Sequence, residues 1–149
     1  LALEFREYIR AQGFHHDIVD IETLIGLVKE RVSFVKDMWK EADFFFKSPE
    51  TYDQDVIKKR WKPESSLQML ELKSVLESID EFKPPVIEQV VKRWIDEKGY
   101  NTGTVMNAFR LVIVGASRGP HMFDIISWIG KEETLHRIDK GVAIIGKQS

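Results

Sequence analysis

The amino-acid sequence predicts an all-α protein of about seven or eight helices, arranged in two helical subdomains. Over most of the 149 residues, apolar side chains recur at three- and four-residue steps, a spacing that places them on one face of a helix. Proline, glycine and capping residues separate these stretches at short intervals. No segment shows the strict apolar–polar alternation that is typical of a half-buried strand.

In the first part of the chain, helices are predicted over residues 1–12, 21–32 and 53–61. Between the last two, Ser33 is the predicted N-cap of a further helix, which Ser48-Pro49 ends. The predicted buried face of that helix comprises Phe34, Val35, Met38, Trp39, Ala42, Phe45 and Phe46.

A break at Lys62-Pro63 is the predicted boundary between a first subdomain, residues 1–62, and a second, residues 63–149. Just behind this break, Ser65 and Gln68 have the spacing of a capping box, which predicts the start of another helix. The predicted apolar stripe of that helix comprises Leu67, Leu70, Val75, Leu76 and Ile79.

Prolines, glycines and one threonine mark the ends of the remaining helices. The predicted helix starts are Pro84, Pro120 and Lys131, Thr102 is the predicted N-cap of a further helix, and the predicted helix ends are Gly99, Gly115, Gly130 and Gly146. The predicted inward-facing residues of these helices are Val86, Ile87, Val90, Val91, Trp94, Ile95, Val105, Ala108, Phe109, Val112, Met122, Phe123, Ile125, Ile126, Ile129, Leu135, Ile138 and Val142.

The composition limits the classes of function. Apolar residues make up 43% and charged residues 31%, as in ordinary globular proteins, and no apolar run approaches the roughly 18 residues of a membrane span. The absence of cysteine excludes disulfides and thiolate metal sites, and fits a reducing compartment such as the cytoplasm. Because the net charge is −2, any contact with nucleic acid must come from a local basic patch.

The stretch VIVGASRGPHMF, residues 112–123, raises the alternative of a dinucleotide-binding loop. That fingerprint needs a strand before the glycines and a second strand with an acidic residue about 20 positions on. Here residues 112–114 continue a predicted helix, His121 stands at the third glycine position, and only helical patterns follow. The context therefore argues against a dinucleotide-dependent enzyme.

Extended to AFRLVIVGASRGPHMFDIISWIGKEETLHRI, the same stretch is similar to the C-terminal signature of bacterial glutamyl-tRNA synthetases. In that family an arginine-led helix ends in a glycine, and the following loop closes with a proline and an apolar pair. The segments ERVSFVKDMWKEADFFFK, TYDQDVIKKRW and EKGYNTGTVMNAFR resemble further elements of the family in the same order. The resemblance covers residues 21–145.

The resemblance implies a class I glutamate–tRNA ligase, of which this chain is the all-helical anticodon-binding region. Its implied partner is glutamate tRNA, with no role for DNA or a membrane. The two catalytic signatures of class I ligases do not occur here. The resemblance therefore implies that ATP and Mg²⁺ bind elsewhere in the parent protein, and no cofactor is expected in this chain. The four histidines lack the spacing that places two metal ligands on one helical face, so no metal site is expected either.

The resemblance also assigns anticodon-contacting roles to particular residues. Arg110 matches the arginine that leads the family's loop helix, and Arg31 matches an arginine used near the last anticodon base. Gly119, Pro120 and Met122 match loop positions that pack against a base. The family more often has a small hydroxyl residue at the position of Gly119 and leucine at the position of Met122. A planar guanidinium suits such contacts because it both stacks and donates to base edges.

Four further residues are candidates for additional tRNA contacts, namely Arg118, His121, Lys59 and Arg60. The last two belong to the basic run KKRWK, which is typical either of a phosphate-contacting patch or of a solvated helix face.

Each assignment has a structural alternative. Arg110 is equally consistent with pairing to a carboxylate, Arg31 with a surface charge, and Met122 with the core. Trp61 and Tyr100 lie at element ends, where base stacking competes with core packing. For the whole chain, the competing function is a helical protein–protein adaptor, which the net charge of −2 favours.

Overall fold

The computed structural model describes residues 1–28 and 35–148. These ranges contain α-helices, 3₁₀ turns and connecting loops but no strand, which confirms the predicted all-α class. The helices of the described ranges are α1 (Ala2–Ala11), α2 (Ile18–Val28), α3 (Val35–Ala42), α4 (Gln54–Arg60), α5 (Ser65–Glu77), α6 (Pro84–Lys98), α7 (Thr102–Val114), α8 (Met122–Ile129) and α9 (Lys131–Ile145).

The chain forms two compact units, Leu1–Lys47 and Ser48–Ser149. Helix α4 and its basic C-terminal end belong to the second of these units. The functional division after Lys62 that the sequence suggests stays a prediction.

The first unit packs α1, α2 and α3 around an apolar core. Its buried residues include Phe5, Ile9, Ile21, Leu24, Met38, Ala42, Phe44 and Phe45. Helix α3 ends at Ala42, earlier than predicted, and a 3₁₀ turn at Asp43–Phe45 follows it. The tighter turn buries Phe44, which the sequence pattern did not select, while Phe46 is half-buried and stacks on Trp39. The predicted N-cap Ser33 lies outside the described residues.

The second unit is organised around α7, which packs against α4, α5 and α9. Seven of its residues are buried, among them Val105, Phe109 and Val112. Helix α9 approaches α7 closely, since a Cβ atom added to Gly141 would lie 2.5 Å from Cγ1 of Val112. On its other side, α9 is joined to α5 by an ion pair of 2.8 Å between Lys73 and Asp139.

The predicted apolar stripe of α5 is wrong at two positions. Leu67 is 61% exposed and Leu70 is 45% exposed. The helix buries a neighbouring stripe instead, because it packs against α7 and α9 together. The buried residues of α5 are Ser65, Gln68, Met69, Leu72 and Leu76.

The capping box predicted at Ser65 and Gln68 is also wrong. The Ser65 hydroxyl accepts a hydrogen bond of 2.9 Å from the backbone N–H of Lys62, and so closes the turn that precedes α5. The Gln68 side chain is buried instead of reaching back to the cap.

Two further helix starts differ from the prediction by one or two residues. Asn101, not Thr102, is the N-cap of α7, since its side chain accepts from the N–H of Thr104 at 2.9 Å. This matches the strong preference for asparagine at that position. Helix α8 begins at Met122 with His121 as its N-cap, so Pro120 belongs to the preceding loop.

Gly115 ends α7 in the left-handed conformation, with φ of 84°. Its backbone carbonyl accepts a hydrogen bond of 2.8 Å from the N–H of Asp53, just before α4. A Cβ atom at this position would lie 2.8 Å from the backbone oxygen of Thr51 and 3.0 Å from Cβ of Pro49. Only glycine fits here without moving the segment that leads into α4.

Gly115→Ala is expected to lower the free energy of unfolding by about 3 kcal/mol, because a left-handed backbone and a backbone clash add together. Gly99→Ala is the matched control, since Gly99 is also a left-handed helix cap, with φ of 69°, but an added Cβ meets nothing within 4 Å. That variant is expected to cost about 1 kcal/mol. Equal losses for the two variants in urea denaturation would contradict the close approach.

Candidate nucleic-acid interface

A seven-residue loop follows α7 and contains four of the nine residues that the sequence selected. We call residues 115–121 the reading loop. Its two glycines both have positive φ, 84° at Gly115 and 102° at Gly119, so the backbone conformation explains why glycine occurs at both positions. Ser117 and His121 are exposed, and the other residues after Gly115 are half-buried.

Arg110 connects α7 to the reading loop. Its Nη1 donates two hydrogen bonds of 2.9 Å, one to the backbone oxygen of Arg118 and one to the backbone oxygen of Pro120. Hydrogen bonds from a charged donor are stronger than those between neutral groups. Arg110 therefore holds the two ends of the Arg118–Pro120 segment together, a role that the sequence prediction did not anticipate.

Arg137 on α9 positions the start of the reading loop through the last turn of α7, and its side chain is only 1% exposed. Its Nη1 donates to the backbone oxygen of Ile113 at 2.9 Å, and its Nε donates to Glu133 at 2.7 Å. Burial lowers the pKa of the Arg137 guanidinium, and the hydrogen bond to Glu133 opposes that shift. Arginine stays protonated in proteins even when its pKa is lowered. The buried Arg137 cation is therefore paired with Glu133 and hydrogen-bonded to the Ile113 carbonyl, which offsets the cost of burying its charge.

Tyr52 adds a second buried polar group beside Arg137. Burial raises the pKa of its hydroxyl, and the positive charge of Arg137 opposes that rise. Because Tyr52 immediately precedes Asp53, whose N–H donates to Gly115, the segment before α4 contributes to the same buried environment as the end of α7.

The remaining candidate residues fall into different environments. Met122 is only 2% exposed, so its side chain packs in the core at the start of α8. His121 is exposed, with its Nε2 3.6 Å from a carboxylate oxygen of Glu88 on α6. Arg31 lies outside the described residues. The predicted base contacts of these residues stay predictions.

Lys59 and Arg60 do not adjoin the reading loop. They lie at the C-terminal end of α4 and, with Lys62, line a cavity against the first turns of α7. Trp61, next to them, is buried. Tyr100 donates a hydrogen bond to Glu71 and packs edge-on against Trp94, so both aromatic residues serve packing.

Arg137 is the residue that sequence reasoning missed. A signal for it exists, because Arg137 follows Glu133 by four residues and lies within the buried stripe of α9. That stripe comprises Thr134, Arg137, Ile138, Gly141 and Ile145. A charged residue at such a position requires a partner at its own helical spacing, and Glu133 supplies one.

Residues 1–28 and 35–148 contain no group of three or more His, Cys, Asp or Glu side chains arranged to hold a metal ion. No helix in the same part of the chain is long and apolar enough to cross a membrane.

Residues 1–142 match the family model described as the anticodon binding domain. The chain belongs to the anticodon binding domain family. The dinucleotide-binding alternative is wrong, since residues 112–114 form the last turn of α7 and the described residues contain no strand.

Curated relatives of this anticodon binding domain are glutamate–tRNA ligases. That of Phocaeicola vulgatus is 48% identical over 95% of this chain, and that of Flavobacterium johnsoniae is 42% identical over 97%. The chain spans less than a third of the length of either relative, 28% and 29% respectively. The predicted family is confirmed, and the adaptor alternative finds no support among these relatives.

Solved structures agree with this membership. The chain is similar to the crystal structure of a glutamate–tRNA ligase from Elizabethkingia meningosepticum in complex with its amino acid, with a TM-score of 0.91 and 36% identity. The similarity covers 97% of this chain and 28% of that one. The glutamate–tRNA synthetase of Elizabethkingia anophelis gives a TM-score of 0.85 at 33% identity, over 94% of this chain and 27% of that one.

Arg137→Ala is expected to lower the free energy of unfolding by about 3–5 kcal/mol, because it leaves buried polar groups without a partner. The matched control is Lys92→Ala. Lys92 pairs with Glu88 at the same four-residue spacing and 3.0 Å, but its side chain is 63% exposed. We expect that change to stay within about 0.5 kcal/mol. If urea denaturation showed comparable losses in the free energy of unfolding for the two variants, burial of Arg137 would not be what determines its contribution to stability.

Proposed function

We propose that this chain recognises the anticodon of glutamate tRNA as the C-terminal part of a glutamate–tRNA ligase. Membership of the anticodon binding domain family and the names of its relatives support the class of partner. The observation that carries the proposal is the hydrogen bonding of Arg110 to the reading loop. It holds a partly exposed loop in one conformation at the end of a buried helix.

A preformed loop suits the recognition of unstacked bases. Anticodon bases in a single-stranded loop present their faces and edges, which proteins read by stacking and by hydrogen bonds. Because the loop is already ordered, less conformational entropy is lost when a base binds. The proposed contact surface for the bases comprises the exposed side chains of Ser117 and His121 and the half-buried Arg118, Gly119 and Pro120.

Arg110 and Met122 are proposed to act mainly through the loop. The Nη1 of Arg110 donates to two loop carbonyls, and Met122 lies in the core directly after His121. Both residues thereby fix where Pro120 lies. Arg31 is proposed as a contact of the first unit, on the resemblance alone.

The rest of the parent protein is proposed to supply the chemistry. ATP, Mg²⁺ and glutamate would bind in the more than two thirds of the ligase that this chain does not span. The parent protein would attach glutamate to tRNA for protein synthesis, and its proposed location is therefore the cytoplasm.

The test is equilibrium binding of the chain to glutamate tRNA and to the same tRNA with its anticodon replaced, followed by fluorescence anisotropy. Arg110→Ala is expected to reduce the ratio of the two affinities by about tenfold, since about 1.4 kcal/mol of discrimination depends on loop conformation. The control is Arg93→Ala, which removes an exposed cation from α6.

We expect Arg93→Ala to leave the ratio unchanged. If Arg110→Ala weakened the binding of both tRNAs by one common factor, the anticodon-reading role of this loop would be wrong. Thermal melting of both variants separates loss of recognition from loss of the fold.

A further inference from the structure

A basic cavity lies at the opposite end of α7 from the reading loop. Its volume is about 150 Å³. One wall consists of Lys59, Arg60 and Lys62, at and just beyond the end of α4. The other wall is the start of α7, where Asn101, Thr104 and Asn107 contribute polar side chains. We call this the α4–α7 pocket.

The charges that line this pocket are all positive. Lys59 and Arg60 are exposed, and no carboxylate of the described residues pairs with either of them. The Lys62 ammonium donates to the backbone oxygen of Lys59 at 3.1 Å, which brings it back toward the end of α4. Three cations so close together repel one another, and an anion bound between them relieves that repulsion. The concentration of charge is local, because the chain as a whole carries −2.

The uncharged wall adds hydrogen-bonding groups. The Asn101 side chain accepts from the N–H of Thr104 at 2.9 Å, which fixes the first turn of α7 beside the cations. The Thr104 hydroxyl donates to the same Asn101 oxygen at 3.4 Å, and the side-chain amide of Asn107 supplies N–H donors that suit phosphate oxygens. Charged and neutral donors from two different elements therefore converge on a concave site.

The pocket and the reading loop share one side of α7. Gly103 and Asn107, which line the pocket, are followed by Arg110 at steps of four and three residues, so all three lie on the same helix face. The 13 residues of α7 span about 20 Å.

From this geometry we propose that the α4–α7 pocket binds a backbone phosphate of the same tRNA whose anticodon meets the reading loop. The proposal rests on the proposed function. The pocket carries no base-reading role: it adds affinity and sets the position of the RNA along α7, because phosphate contacts fix register without reading sequence.

The test uses the chain and the same two tRNAs, with binding measured over a series of salt concentrations. Arg60→Gln is compared with Lys58→Gln, which removes one positive charge from the same helix end but from a residue that does not line the pocket. Arg60→Gln is expected to lower the affinity of the chain for both tRNAs by the same factor, about fivefold to tenfold. It is also expected to reduce the slope of log affinity against log salt by about one. Lys58→Gln is expected to change affinity by less than about twofold.

Equal losses of tRNA affinity in the two variants would overturn the proposal of a phosphate site in the pocket. They would indicate a diffuse electrostatic attraction between the tRNA and the basic end of α4. A change in the ratio between the two tRNAs in Arg60→Gln would also overturn it, because the pocket would then be reading bases. Failure of the proposed function has a different signature: the wild-type chain would bind both tRNAs with the same affinity, whatever Arg60→Gln does to the salt dependence.

Discussion

The second compact unit depends on a buried guanidinium. Arg137 joins α9 to the last turn of α7 through the Ile113 carbonyl, and Glu133 on its own helix compensates the cost of burying the charge. The close approach of the two helices at Gly141 and Val112 brings the guanidinium within reach of that carbonyl. Because the reading loop starts two residues after Ile113, its position follows from this contact.

Helix α7 then acts as a fixed support with a polar feature at each end. At its C-terminal end, Arg110 holds the reading loop, and the carbonyl of Gly115 is tied to Asp53 before α4. At its N-terminal end, Asn101 caps the first turn beside the basic end of α4. The distance between base recognition and phosphate binding is therefore set by one helix that is buried along its inner face.

Helical periodicity predicted most elements, but not always their buried face. Helix α5 carries two apolar stripes, and only its packing against α7 and α9 decides that Met69 is inside while Leu67 is outside. The partners of Arg110 lie eight and ten residues further along the chain, so local spacing could not reveal them. The burial of Arg137 likewise depends on a carbonyl 24 residues away. Recognition of the family came from the ordered series of motifs between residues 30 and 138, not from periodicity.

The central claim is that Arg110 orders the reading loop. Backbone ¹⁵N relaxation of Ser117, Arg118 and Gly119 in the wild-type chain and in Arg110→Ala tests it most directly. We predict that the order parameters of these amides fall from about 0.85 to below about 0.6 in the variant, while that of Val112 is unchanged. Unchanged loop order parameters in a variant that has lost anticodon discrimination would contradict the account, and would show that Arg110 acts by touching the RNA itself.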